Sequence, residues 1–250
     1  MIEKIMRAVK SSNKKRGRNI TIGAVVGMLL SCSAVMGKDV AVLEITKDGD
    51  KIIFKDKNGD LFTPGKKKDP YPNNKWDGNT YINNSAISGE AATFGDNGIG
   101  IKLSGELTGN LINNGIITGS GSSFGYGIRI ISLTGDITNN GAITGSSSGI
   151  YIDSSLTGNL TNNGVITGYD YGSGSDSGSG IYIDSSLTEN LTNNGVITGY
   201  SSGSGSSSGS GIYIDSSLTG NLTNNGLIIG SSSSSGYGIY IFIFNRKSNK

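Results

Sequence analysis

The chain has 250 residues, of which 41 are glycine, one is cysteine and none is histidine. The lack of histidine removes the usual general base and the commonest metal ligand, and a single cysteine allows neither an internal disulfide nor a cysteine-based zinc site. The formal net charge of +2 hides an asymmetry: residues 1–38 carry eight basic side chains against Glu3 alone, a net +7, while the rest of the chain sums to −5. A basic leader on an acidic body excludes the usual nucleic-acid binder, whose cationic face lies in its folded part. Glycine follows no G-X-Y period, so collagen is excluded as well. Much of it recurs at fixed repeat positions, which points to tight turns.

Residues 1–19 hold Lys4, Arg7, Lys10, Lys14, Lys15, Arg16 and Arg18, and an apolar run, ITIGAVVGMLL, follows over residues 20–30. Small residues, SCSAVMG, close the segment at 31–37. This is the pattern of a secretory signal, and the run is shorter than the ~20 apolar residues a membrane-spanning helix needs. Two exits fit it. Cleavage after Gly37 leaves Lys38 as the new N-terminus, whereas Leu29-Leu30-Ser31-Cys32 resembles a lipoprotein box that would lipidate Cys32.

Residues 38–79 follow a different pattern. VAVLEI at 40–45, KIIF at 51–54 and DLFT from Asp60 read as strands, joined by hairpin signals at Asp48-Gly49 and Asn58-Gly59. Asp56, Asn58 and Asp60 imitate the start of a calcium loop, but the twelfth position, where such a loop needs glutamate, is Lys67. A loop with Lys66, Lys67 and Lys68 follows, and Trp76 is placed to close the end of whatever comes next.

What comes next is a repeat. GIYIDSSLTGNLTNNGVITG spans residues 149–168 and returns almost unchanged at 180–199 and 211–230. Looser copies occupy 127–145 and 98–119, and a sixth begins at Gly238. Ile150-Tyr151-Ile152 alternates like a strand, Leu156 to Leu160 forms a second extended piece, Asn162-Asn163-Gly164 a turn, and Val165-Ile166-Thr167 a third strand. Three short strands in some 20 residues predict one coil of a parallel β-helix, an all-β solenoid whose units are stable only when stacked. Gly/Ser tracts of unequal length between copies predict loops on one face.

Stacked in register at about 4.8 Å, equivalent residues form columns, and five coils make a rod about 24 Å long. Ile152, Ile183 and Ile214 are expected in the core with Leu160, Leu191 and Leu222. Tyr151, Tyr182 and Tyr213 are expected as an exposed aromatic stripe, and Asn163, Asn194 and Asn225 as a side-chain amide ladder at the turn. Asp153, Asp184 and Asp215 share a column that faces open solvent or recruits a cation; the earlier copies place Lys102 and Ile131 there. The calcium-binding nonapeptide is absent. With isolated acids, no histidine and only Lys102 and Arg129 as bases within 98–230, no catalytic, cofactor or metal site is expected, and the chain does not read as an enzyme.

Leader and repeat together resemble the bacterial autotransporters, the type V secreted surface proteins. Residues 1–37 look like their extended signal peptides, fusobacterial ones especially, and GNLTNNGVITG looks like the coil motif of their β-helical passengers. The resemblance implies export through the Sec machinery, display at the cell surface or outer membrane, and adhesion or aggregation against a host or bacterial surface ligand, without nucleic acid or a small-molecule substrate. Relatives of this type continue into a C-terminal β-barrel. Here Phe242-Ile243-Phe244-Asn245 replaces the expected D-S-S-L of the sixth copy. The chain therefore reads as a passenger fragment, periplasmic if no full-length form exists. A lipoprotein stalk held through Cys32 and a truncated product without function are the other readings. The expected organisation is a signal peptide at 1–37, a β-hairpin cap and loop at 38–79, a parallel β-helix at 80–241 and an aberrant or disordered tail at 242–250.

Overall fold

A computed structural model describes residues 38–93, 95–170, 178–185, 187–202, 208–216, 218–233 and 235–241. The leader with Cys32 and Gly37, the tail 242–250 and much of the Gly/Ser tracts lie outside the described residues. Every regular element among the described residues is a β-strand, and the strands wind into a parallel β-solenoid of about five turns.

One consensus coil shows the logic. Ser148–Thr157, Leu160–Asn162 and Val165–Asp170 are its three strands, and each belongs to a different sheet. In the first sheet Ile150 lies beside Ile181, which lies beside Ile212; in the second, Leu160 beside Leu191; in the third, Ile166 beside Ile197. The strands are short, β-branched and alternate in and out, so each buries one row of side chains toward the axis. Ile150, Ile152, Leu156, Leu160 and Ile166 are at most 1% exposed. The predicted core columns are present, with Leu222, in the last of the second-sheet strands, only partly buried.

The glycines of the repeat act by size rather than by turn conformation. Among the described residues, positive φ occurs at Gly49 and Gly59 in the hairpins and at a few other glycines, but not at Gly164 or Gly168. Asn163 and Gly164 still bend the chain between the second and third strands, as expected of a turn, but Asn162 belongs to the strand before it and Gly164 does not use a positive φ. A Cβ on Gly168 would instead overlap the carbonyl oxygen of Ser179, where the third sheet turns into the first. Gly119, Gly145 and Gly199 meet Tyr126, Ser148 and Ser210 in the same way.

Two registers differ from expectation. The strand Asn97–Ser104 pairs Ile101 with Ile128 and Lys102 with Arg129, so its coil begins at Gly100 rather than Gly98. Gly-Ile-Gly-Ile fits the repeat at either glycine, and burial of Leu103 decides between them. Lys102 consequently stands in the tyrosine column and not in the aspartate column. The solenoid also starts earlier than the expected residue 80. Asp39–Asp48 runs parallel to Asn97–Ser104, with Leu43 and Ile45 in the core columns beside Ile101 and Leu103. Thr80–Asn83 and Ala86–Ala91 supply the other two strands of that first coil. Of the segment 38–79 expected as a cap and loop, Asp39–Asp48 is therefore the first strand of coil one, and the rest is inserted between that strand and the second.

That insertion closes the N-terminal end. Lys51–Asp56 and Leu61–Phe62 extend the first sheet antiparallel, which ends the parallel stack. Phe54, 5% exposed, lies 5.3 Å from Trp76, 5.7 Å from Tyr81 and 5.9 Å from Phe62 between ring centroids. Asn74 is buried; its Nδ2 donates to the Tyr81 hydroxyl at 2.9 Å and its Oδ1 accepts the Asn84 N–H at 2.7 Å. Asp56 Oδ1 accepts the N–H groups of Asn58 and Asp60 at 2.8 and 3.0 Å, so this acidic loop is a self-satisfied hairpin.

Candidate interaction faces

A solenoid presents three outward faces, and each carries its own chemistry. On the first sheet, Tyr151, Tyr182, Tyr213 and Tyr240 stand in one column beside Arg129. Successive centroids are 5.3, 4.8 and 4.9 Å apart, with interplanar angles of 33°, 13° and 12°. Tyr126 stacks under Tyr151 at 4.8 Å. The stripe was expected to be exposed, but its tyrosines are half-buried. The coil spacing is close to the stacking distance of aromatic rings, so the rings cover one another's faces. Sugar stacking on those faces is thereby blocked. Burial first, and then the nearby carboxylates led by Asp184, push the Tyr151 hydroxyl well above its ordinary range. That hydroxyl donates to Asp184 at 3.2 Å.

Charge is concentrated at the N-terminal end of this column. Arg129 Nη1 lies 2.7 Å from both carboxylate oxygens of Asp39, and Nη2 lies 2.8 Å from Asp153. Lys102 reaches Asp39 at 3.2 Å and Glu44 at 3.7 Å. The aspartate column is thus tied to a protein cation at its first member, while Asp184 and Asp215 are exposed. Among the described residues no three metal-ligating side chains come together. Burial works against the Asp39 carboxylate, but the Asn97 amide, Arg129 and Lys102 outweigh it and hold its pKa below the ordinary value. A lowered carboxylate pKa adds stability above the unfolded value of about 3.9, and that stability is lost as pH falls through the folded value. Arg129→Met is expected to lower stability by about 1–3 kcal/mol at neutral pH, because it leaves Asp39 and Asp153 short of a partner. Urea unfolding of variant and parent should converge at acid pH, and an unchanged gap there would overturn this account.

The second sheet carries amide ladders. Asn163, Asn194 and Asn225 are exposed and linked Nδ2 to Oδ1 at 2.8 and 2.9 Å, in a row that continues back through Asn140 and Asn114 to Asn84. A second ladder escaped the sequence reading. Asn83, Asn113, Asn139, Asn162 and Asn193 are at most 1% exposed. Their links to one another, and from Asn193 to Asn224, are 2.7–2.8 Å. Each amide also donates to backbone carbonyls: that of Asn162 reaches Gly164 and Val196 at 3.2 Å. The signal was available, because alternation through Leu160-Thr161-Asn162 puts leucine in, threonine out and asparagine in. Reading Asn-Asn-Gly as a turn concealed it.

The third sheet's outer face is apolar. One column runs through Ile116, Ala142, Val165, Val196 and Leu227, and the next through Thr118, Thr144, Thr167, Thr198 and Ile229. Ile116 is 52% exposed, Val165 43% and Leu227 51%. Neither column contains a charge. No family model matches the chain, and neither a curated protein nor a solved structure matches it.

Proposed function

We propose that this chain is the exported, non-catalytic rod of a surface protein of the autotransporter kind, and that it works by contact, rod against rod. The observation that carries this reading is the third sheet's outer face, an uncharged strip of exposed aliphatic and threonine side chains. The largest apolar patch on a protein surface is often a functional one. Identical uncharged strips do not repel one another, and two flat sheets pack face to face in an aligned arrangement. The basic leader and its small-residue exit support export.

The size of the face sets the strength of the contact. Glu90 is exposed on the first strand of this sheet; the remaining five strands, about 4.8 Å apart and some five residues wide, give roughly 400 Å² per rod. Two such faces bury roughly 800 Å² together, below the roughly 1,200 Å² of a stable interface. A single contact is weak, and adhesion arises when many rods stand side by side on a surface. The test is sedimentation and bead aggregation of the rod with Ile116→Lys and Val165→Lys. Concentration-dependent association is expected in the parent and at least tenfold less in the variant. Equal association of the two, or none in the parent, would remove this face from the reading.

A further inference from the structure

The second sheet's outer face supports an inference independent of the apolar strip. Asn159, Asn190 and Asn221 form one column there, and Thr161, Thr192 and Thr223 form the next, two residues along each strand. Between them lies an open groove of about 510 Å³ running across the coils. The amides are already oriented. Asn190 Oδ1 accepts both the backbone N–H and the Nδ2 of Asn221 at 3.0 Å, and Asn159 Oδ1 accepts the Asn190 Nδ2 at 3.0 Å. Each ladder bond uses one Nδ2 proton and leaves the second, next to a threonine hydroxyl on the same strand. One amide donor and one hydroxyl therefore recur along the rod at the coil spacing of about 4.8 Å.

This repeat constrains the ligand. Among the residues lining the groove there is no cation, and the one acid is Asp136 at the N-terminal end. A polyanion finds no counter-charge, and a globular protein surface without a solenoid repeat has no matching translation. An extended linear glycan does, because one pyranose unit advances by close to one coil. We propose that the second sheet binds a neutral, linear polysaccharide lying along the rod, one sugar unit per coil. Sugar hydroxyls accept from the free amide protons and exchange hydrogen bonds with the threonine hydroxyls. No aromatic ring lines the groove, so each unit contributes little and affinity accumulates with length. Amides held in place by their own ladder lose little freedom on binding.

The test is calorimetric titration of the full chain with neutral β-1,4-linked hexasaccharides of glucose, mannose and N-acetylglucosamine. The matching disaccharides and a heparin hexasaccharide serve as comparisons. The groove holds three amide–hydroxyl pairs and Thr138 beyond them, so at least one neutral hexasaccharide is expected to bind about tenfold tighter than its disaccharide, with no binding of heparin. Thr161→Val with Thr192→Val removes two hydroxyls while keeping shape and strand preference, and is expected to weaken hexasaccharide binding about tenfold. Ile116→Lys with Val165→Lys should leave it unchanged, so failure of the rod-to-rod reading and failure of this one are distinguishable. Absence of binding by all three neutral hexasaccharides, equal binding by the Thr→Val variant, or preference for heparin would each overturn the proposal.

Discussion

Gly168→Ala, like the same change at the other corner glycines, is expected to be among the most damaging substitutions in the rod, costing more than about 4 kcal/mol. The added methyl would overlap the carbonyl oxygen of Ser179, an atom of the backbone that no rotamer change can move. Relief requires the third and first sheets to separate at that corner. Separation would pull Ile166 and Ile181 out of a core in which both are fully buried. Gly49→Ala is the comparison. Nothing lies within 4 Å of the new methyl there, and only the φ of +58° is unfavourable, which costs about 1 kcal/mol. Urea unfolding followed by far-ultraviolet circular dichroism separates the two, with a large loss of midpoint for Gly168→Ala and a small one for Gly49→Ala. Equal midpoints would mean that the corner is wide enough for a side chain and that the glycine column has another cause.

Asn162→Ala is the second large effect, at about 2–4 kcal/mol. The substitution leaves the Oδ1 of Asn193 without its donor in the dry interior and takes from the Asn139 amide its shortest bond, leaving it the carbonyls of Gly141 and Val165 at 3.2 Å. An orphaned buried polar group costs about 1–3 kcal/mol, and the lost bond of Asn139 adds about 1 kcal/mol. The backbone carbonyls of Gly164 and Val196 also lose a donor. Asn163→Ala removes the next residue from a ladder of nearly the same lengths, but that ladder is exposed and water replaces the lost bonds. Its cost is expected to stay under about 1 kcal/mol. The same unfolding experiment reads both variants. A cost for Asn163→Ala equal to that for Asn162→Ala would place the stabilising ladder on the outside.

Several features were legible because they depend on neighbours in sequence. Strict alternation marks Ile150 and Ile152 as inward. Asp48-Gly49 and Asn58-Gly59 mark hairpin turns, and both glycines take the positive φ those turns require. The near-identity of three copies implies stacking, since equal units place equal residues side by side.

What was not legible depends on atoms brought close by the winding of the chain. The strand at Asp39–Asp48 satisfies the same apolar-polar-apolar pattern as the coils, with Leu43-Glu44-Ile45 in place of Ile-Tyr-Ile. It lies far enough from the repeat that only pairing with Asn97–Ser104 identifies it as the first rung. Lys102 and Arg129 look like lapses in the repeat until the register puts them in the tyrosine column, where they hold Asp39 of that first strand. Tyr151 alternates outward as expected, yet its faces are covered by Tyr126 and Tyr182.

By itself, then, the sequence determined the all-β solenoid, its three strands per coil and most of its core, because period and alternation are local properties of the chain. Only the tertiary structure decided which asparagine is buried, why the corner residue is glycine, where the first coil begins and which faces remain open. Each of those depends on the distance between a coil and the coil before or after it, and that distance exists only once the rod has closed.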